Sequence, residues 1–532
     1  MSQVAVLVER QETQINVRRL FAASCVALAG SGIMFAVLGD IINPLKRQFV
    51  LTNFQAGLIT GASGWGFTIG IFLLGPLCDA LGMRLLLWFA FLCQALGVTI
   101  MVAAGGAGML FWGATLHMIG GGTVEAVCNP LIATIYPNEK THRLNQFHMW
   151  FPGGIVIGGL ACYFLAKAHL DYWQLKLLVV LIPAVIFAVM IVGQRFPATE
   201  RVQSGVSFGG MFRETLLRPL FLVLLVCMTM TASLELGPQK WIPSVLASGN
   251  VPGILVLVWI TGLMAILRFF AGPVVKALGN IGLLLVSAIL SGTGLLLLSF
   301  GGSYVTIAVA ATIFALGVCY FWPTMLGTAA ERVPRGGALA LALLGGTGGL
   351  VNSVVTTPLM GKIADRYVHK ELVSPAHEPQ TIATLQTVAT TYSQWEQTLG
   401  VTGGDAIARR EAAEAIDKAR DVLATYQRTG SLPHPATANA LRAATKSGPP
   451  DSAGASATAA AALAARHQVE DLLNPAENKG GLISFRFVAP LSLILILIFG
   501  VLYARDLRAR RNATPARATE HDTLQRATGQ RL

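Results

Sequence analysis

Ionisable side chains are scarce in the apolar stretches of this sequence, and two acids, Asp40 and Glu125, are the residues best placed to do chemistry. A lone charge in a bilayer is expensive unless it faces a cavity or a partner, so each such residue is a candidate functional site. Asp40 closes a nearly continuous apolar stretch and precedes Ile41-Ile42-Asn43-Pro44. Partly desolvated, a carboxylate there can take up and release a proton near neutral pH; solvated at the outer end of its helix, it only marks the membrane boundary. Glu125 lies in the middle of Gly120-Gly121-Gly122-Thr123-Val124-Glu125-Ala126-Val127-Cys128-Asn129-Pro130. Three glycines admit close neighbours, Asn129 shares the acid's face one turn on, and Pro130 frees a carbonyl, as in a helix lining a water-filled cavity. A Glu clamped to a neighbouring helix is the alternative reading.

A second group could hold a solute. Asn129, Asn145, His148, Glu235, Gln239, Trp241, Tyr320, Trp322 and Asn352 are the polar and aromatic residues of the apolar stretches that suit the hydroxyl edges and apolar faces of a sugar ring. His117 shares Glu125's side of the helix only loosely, and aromatic residues are also ordinary packing and belt residues. Arg268 reads as one member of a structural ion pair, which leaves the expected pocket without a cationic clamp for anions. Asp79, Arg84, Lys276, Glu331 and Arg332 fall at helix ends. Asp79, Arg84, Glu331 and Arg332 are candidate gating residues, the alternative being solvated surface charge.

The elements that must position these residues are membrane helices. The chain has 532 residues, of which 54% are hydrophobic and 12% charged, with mean hydropathy +0.61. A soluble domain of this size could not cover so much apolar surface. Apolar stretches of about 20 residues, enough to cross a bilayer, are expected near 20–43, 54–78, 84–104, 108–135, 147–168, 174–194, 218–243, 252–277, 281–300, 304–328, 337–360 and 483–504. Threaded with the N-terminus inside, these spans place Arg10, Arg18, Arg19, Arg84, Lys140, Arg143, Arg195, Arg201, Arg213, Arg218, Lys276, Arg332, Arg335 and the Arg-rich tail on the cytoplasmic side. The net charge of +12 is therefore topology and not a nucleic-acid surface. Seven single cysteines without a CxxC predict neither a disulfide framework nor a metal site. No cleavable signal, cofactor motif, Walker string or nucleophile elbow is found, so an enzyme is not expected.

An internal repeat supports the span count. Gly75-Pro76-Leu77-Cys78-Asp79-Ala80-Leu81-Gly82 after the second span matches Gly272-Pro273-Val274-Val275-Lys276-Ala277-Leu278-Gly279 after the eighth. Asn129-Pro130 in the fourth span is weakly echoed by Trp322-Pro323 in the tenth. The expected fold is an all-α membrane protein of twelve transmembrane helices in two pseudo-symmetric six-helix halves. Its parts are a cytoplasmic N-terminus (1–19), an N-terminal half (20–194), a cytoplasmic central loop (195–217), a C-terminal half (218–504) and a cytoplasmic basic tail (505–532). Within the C-terminal half, 366–480 forms an extracytoplasmic Ala-rich insertion between helices 11 and 12. It carries a helix over Ala406–Gln427 and low complexity over Ser447–Ala465, and is otherwise a solvated, partly disordered embellishment or a docking module.

The strings Asp40-Ile-Ile-Asn-Pro44, Leu51-Thr-Asn-Phe-Gln-Ala-Gly-Leu-Ile59, Gly75-Pro-Leu-Cys-Asp79, Glu125-Ala-Val-Cys-Asn129-Pro130 and Arg143-Leu-Asn145 resemble the fucose:proton symporter group of the major facilitator superfamily. The resemblance implies that Asp40 and Glu125 correspond to the two carboxylates that couple proton and sugar movement in that group. The expected function is secondary active transport by alternating access, a proton-coupled symport of a monosaccharide or similar neutral polyhydroxylated metabolite. The expected setting is a plasma membrane, the inner membrane if the cell is bacterial, with both termini cytoplasmic. Small solute, protons and lipid are the partners, nucleic acid is not, and the chain is read as a monomer. A proton-driven drug or metabolite exporter and a non-transporting membrane sensor are the alternatives.

Overall fold

The computed structural model describes residues 15–49, 53–170, 172–247, 249, 251, 253–401, 406–449 and 456–508. Arg10 and the tail beyond Arg508 lie outside the described residues, as does part of the low-complexity run. The described residues are helical throughout their regular structure. The N-terminal half comprises α1 (Val17–Gln48), α2 (Asn53–Leu81), α3 (Met83–Val102), α4 (Ala107–Ile135), α5 (Lys140–Lys167, with a turn at Met149) and α6 (Trp173–Ile191). Two short helices, Glu200–Gln203 and Phe208–Leu216, lead to α7 (Pro219–Ala247), α8 (Gly253–Phe269), α9 (Ala271–Leu298), α10 (Tyr304–Arg332) and α11 (Pro334–Leu372). The insertion holds α12 (Glu378–Val401), α13 (Ala406–Thr429) and α14 (Ala436–Ser447). Finally α15 (Ala457–Arg508) runs out of the insertion into the last apolar span. Eleven described helices are long and apolar enough to cross a bilayer, and Leu255–Phe269 is a shorter apolar helix. Large apolar side chains such as Leu73, Trp112, Phe164 and Leu493 point outward, as lipid-facing residues must.

The repeated eight-residue string explains how the two halves are built alike. Its last glycine adopts a left-handed conformation in both copies, φ 84° at Gly82 and φ 69° at Gly279, which a Cβ would oppose. Gly82 separates α2 from α3. Gly279 breaks α9, so that residues 271–278 prolong the eighth crossing and the residues after it make the ninth. The first glycine of each copy faces the opposite half: a Cβ on Gly75 would stand 2.1 Å from Ala342 Cβ, and one on Gly272 would stand 2.8 Å from His142 Cε1. One sequence motif thus makes one hairpin turn and one inter-half contact, twice.

Within the N-terminal half, α4 is the hub. A Cβ on Gly120 would meet Ala90 O of α3 at 2.7 Å, one on Gly121 Ser31 Oγ of α1 at 3.0 Å, and one on Gly122 Phe67 O of α2 at 2.1 Å. Three consecutive glycines therefore let three different helices close on α4 just before Glu125. In the C-terminal half, α11 widens into a π-helical turn over Asn352–Thr356, a feature that often marks functional positions.

The described residues of the insertion fold into packed helices, against the reading of 366–480 as mainly a solvated embellishment; 402–405 and 450–455 lie outside the described residues. Its alanines form an apolar stripe: Ala412, Ala415, Ile416, Ala419 and Val422 follow the i, i+3, i+4, i+7 spacing on α13 and are buried. Ala415, Ile416, Ala419 and Val422 pack with Leu385, Val388, Tyr392, Leu441, Val469 and Leu472, and with Val368 and Leu372 of α11, in a core of their own. Tyr392, fully buried, donates to Ala444 O at 2.7 Å. The insertion is tied to the C-terminal half: Arg442 on α14 reaches Asp365 on α11 and Glu477 on α15, both at 2.7 Å, and Asn478 donates to Val245 O of α7 at 2.7 Å. Because Arg442 is half-buried, its bridge contributes about 1 kcal/mol. Arg442→Met is expected to speed proteolytic cutting of the insertion in membranes about fivefold while the spans stay intact; an unchanged rate would show that the apolar core alone holds it.

Candidate functional site

The polar residues of the sequence analysis converge where the halves meet. Glu125 on α4 is buried and accepts from Asn129 Nδ2 at 3.3 Å, the i, i+4 pair expected from spacing. Asn129 Oδ1 in turn lies 2.9 Å from His148 Nε2 on α5, an arrangement that assigns the proton to Nε2. Asn145 donates to Thr141 O at 2.8 Å and to Thr324 Oγ1 of α10 at 3.4 Å, across the interface. Trp322 on α10 is buried beside Glu125, its indole N–H short of hydrogen-bond geometry to any acceptor. Asn145 Oδ1, Glu235 Oε2, Trp322 Nε1 and Asn352 Oδ1 are all buried without a hydrogen-bond partner. Unmet buried polar atoms are destabilising, at about 1–3 kcal/mol each, and are the natural handles for a hydroxylated ligand.

Arg268 on α8 stands at the centre, contrary to the expectation that the pocket lacks a cation, and it is only 3% exposed. Its NH2 donates to Glu235 Oε1 at 2.8 Å, its Nε to Cys319 O at 2.5 Å and its NH1 to His148 O at 3.1 Å. The two carbonyls share one cause. An α-helical carbonyl accepts from the N–H four residues on, and the residues four after His148 and Cys319 are Pro152 and Pro323, which have none. Each helix also turns three or four residues before its proline, at Met149 and at Cys319-Tyr320. A single guanidinium therefore satisfies two proline-orphaned carbonyls, one from each half, and is neutralised by Glu235.

Near the end of the bundle marked by the loop cations, here the basic end, further bonds tie the halves. Thr141 donates to Glu331 Oε1 at 2.8 Å, and Asn280 to Glu331 Oε2 at 2.7 Å. Lys140 donates to Ala330 O at 3.1 Å and pairs with Glu200 at 2.6 Å. Asp79 accepts from Thr199, the N-cap of the short helix Glu200–Gln203. The connecting segment is thereby drawn against α2 and α5. Gly327 makes room for Thr141, since a Cβ there would lie 2.2 Å from Thr141 Oγ1. Of the gating candidates, Glu331 joins the two halves, Asp79 holds the connecting segment, and Arg332 pairs with Asp506 inside the C-terminal half. Arg84 is exposed and makes no ion pair among the described residues.

Other candidates lie apart from the cluster. Asp40 is exposed and paired with the buried Lys176 at 2.5 Å, so its charge is compensated within the N-terminal half. Tyr320 donates to Leu267 O at 3.0 Å and Gln239 to Met264 Sδ at 3.4 Å. Trp241 lies against Gly361, and Asn352 against Gly237. His117 is buried with Nδ1 3.2 Å from Gln94 O, between α3 and α4. Sequence reasoning missed the central place of Arg268 and the Lys140–Glu200 and Thr141–Glu331 contacts. The readable signal for the first was a proline four residues after a mid-helix position in two spans.

Two six-helix halves closed around a buried polar cluster define a membrane transporter. The family model of the Major Facilitator Superfamily matches residues 20–356, and the chain belongs to that family. The Inner membrane metabolite transport protein YgcS of Escherichia coli (strain K12) is 26% identical over 175 residues, which cover 32% of this chain and 39% of YgcS, so the match spans about two fifths of that relative's length. Among solved structures, a variant of the Escherichia coli fucose:proton symporter FucP superposes with TM-score 0.55 at 17% identity, over 65% of this chain and 92% of FucP. The proton:xylose symporter XylE gives 0.54 at 15%, over 65% and 89%. The human organic anion transporter TETRAN gives 0.53 at 13%, over 66% and 93%. These likenesses show the fold.

The basic-end bonds yield a test of the closed arrangement. Removing the inter-half hydrogen bond with Thr141→Val is expected to raise opening about three- to tenfold. A polar maleimide should then label a cysteine placed at the buried Ala340 correspondingly faster in unsealed membranes; labelling at the parent rate would show that Glu331 does not hold this end.

Proposed function

We propose that this transporter is a proton-coupled symporter of a monosaccharide or related polyhydroxylated metabolite, working by alternating access. The observation that carries the reading is Glu125, a carboxylate buried between the halves and joined through Asn129 to His148. A buried acid that must be neutral to cross dry and charged to reload links proton uptake to the turnover of the carrier. The buried polar atoms Asn145 Oδ1 and Trp322 Nε1 supply an acceptor and a donor for hydroxyl groups. FucP is a fucose:proton symporter and XylE a proton:xylose symporter, which agrees with this reading. Asp40, paired with Lys176 away from the cluster, takes a secondary role at the far end of α1. The basic end faces the cytoplasm, by the positive-inside rule, and the insertion faces outward. A bacterial inner membrane is the setting that the name of YgcS supports.

The test uses proteoliposomes with an inward proton gradient. Glu125→Gln is expected to lower gradient-driven accumulation at least about tenfold, the scale set by losing one proton-transfer group, while solute exchange across the membrane persists. Accumulation at the parent level in Glu125→Gln would reject Glu125 as the coupling acid.

A further inference from the structure

We propose that the transported metabolite carries a carboxylate and that Arg268 binds it, with Glu235 as the internal counter-ion that the substrate displaces. The inference rests on the symport reading above and narrows its substrate class from polyhydroxylated metabolites in general to sugar acids.

Three features of Arg268 support it. First, a guanidinium buried to 3% exposure in a bilayer-spanning bundle is costly, and Glu235 offsets it through one oxygen only, its buried Oε2 making no bond to Arg268. The carboxylate holds the cation through one oxygen, where a guanidinium and a carboxylate can form two parallel bonds. Second, Arg268 is held in part by the opposite half. Its NH1 donates to His148 O on α5, so when the halves separate that bond opens and a charged donor turns toward the interface. Its Nε stays on Cys319 O, which Pro323 keeps free in the same half, so the plane of the guanidinium is fixed while one edge is released. Third, polar atoms of the same cluster suit hydroxyl groups: Trp322 Nε1 lies beside Glu125, and Asn145 Oδ1, one turn before His148 on α5, is buried without a hydrogen-bond partner.

The groups facing the guanidinium are Glu235 on α7, Glu125 on α4, His148 on α5 and Cys319 and Tyr320 on α10. With both acids ionised and His148 neutral, the cluster bears one net negative charge. A substrate anion entering with one proton leaves that charge unchanged. A monovalent acid moving with one proton carries no net charge across the membrane, whereas a neutral sugar moving with one proton carries one positive charge.

The experiment uses the full chain in proteoliposomes with a panel of hexuronates and hexonates beside their parent hexoses, under an inward proton gradient with and without an imposed membrane potential. Uptake of acids, insensitive to the potential, is expected. Glu235→Gln, which removes the internal competitor at constant shape, is expected to bind the transported acid about tenfold tighter; a merely structural pair predicts no such gain. The double variant Arg268→Gln with Glu235→Gln, which leaves no buried charge unpaired, is expected to stay monodisperse and to lose acid uptake about 30-fold or more. Arg268→Lys, which keeps the charge without the fork, should fall between. Proton-coupled uptake of a neutral hexose in preference to its acid, with the double variant still active, would overturn the assignment and leave the symport reading standing. No proton-linked uptake of any panel member would overturn both.

Discussion

A carbonyl that has lost its helical donor has no water to turn to inside a bilayer, and that constraint organises the centre of this protein. Pro152 and Pro323 each orphan one carbonyl on helices that face each other across the two halves. Arg268 meets both, and its own charge then requires Glu235. The polar cluster follows from this: a cation that must be buried draws an anion, and together they set the electrostatic surroundings of Glu125 and His148. Proline positions, which could be read as mere kinks, thus determine where charge can be stored in the membrane.

Close approach provides the second organising element. α4 can place Glu125 at the interface because Gly120, Gly121 and Gly122 let α3, α1 and α2 pack against it without side chains between. The halves can approach because Gly75 and Gly272 occupy equivalent places in the repeat and face Ala342 and His142. The same strings supply the tight turns at Gly82 and Gly279. Eight residues copied between halves carry both the intra-half connection and the inter-half fit, and this makes the pseudo-symmetry mechanically useful.

Much of this was legible before any coordinates. The spans follow from apolar runs, the two halves from the repeated string, and the Glu125–Asn129 bond from a four-residue spacing on a helix. Less legible were contacts that depend on how distant helices rotate. Arg268 read as a member of an ion pair, which it forms with Glu235, but a lone arginine in a span gives no hint that its other two acceptors are carbonyls of α5 and α10. Asp40 read either as a partly desolvated acid or as a solvated helix end, and it is exposed; Lys176, more than a hundred positions away, is what compensates it. The insertion looked solvated because alanine contributes little hydropathy, yet alanines at helical spacing build a tight core when they face one another. Low side-chain entropy makes such alanine-rich helices inexpensive to order.

The longest helix joins regions that would otherwise be independent. α15 runs for 52 residues from the insertion core to Arg508, with a turn at Ala489-Pro490. At about 1.5 Å per residue it spans roughly 80 Å. A rod of that length, with its apolar span over 483–504 toward one end, braced there by Arg332 and by Arg442 through Glu477 within the insertion, behaves as a lever. A tilt of a few degrees in the apolar span becomes a displacement of several ångströms at the N-terminal end of α15, so the insertion bundle packed around that end is a mechanical pointer to whichever way the C-terminal half is leaning.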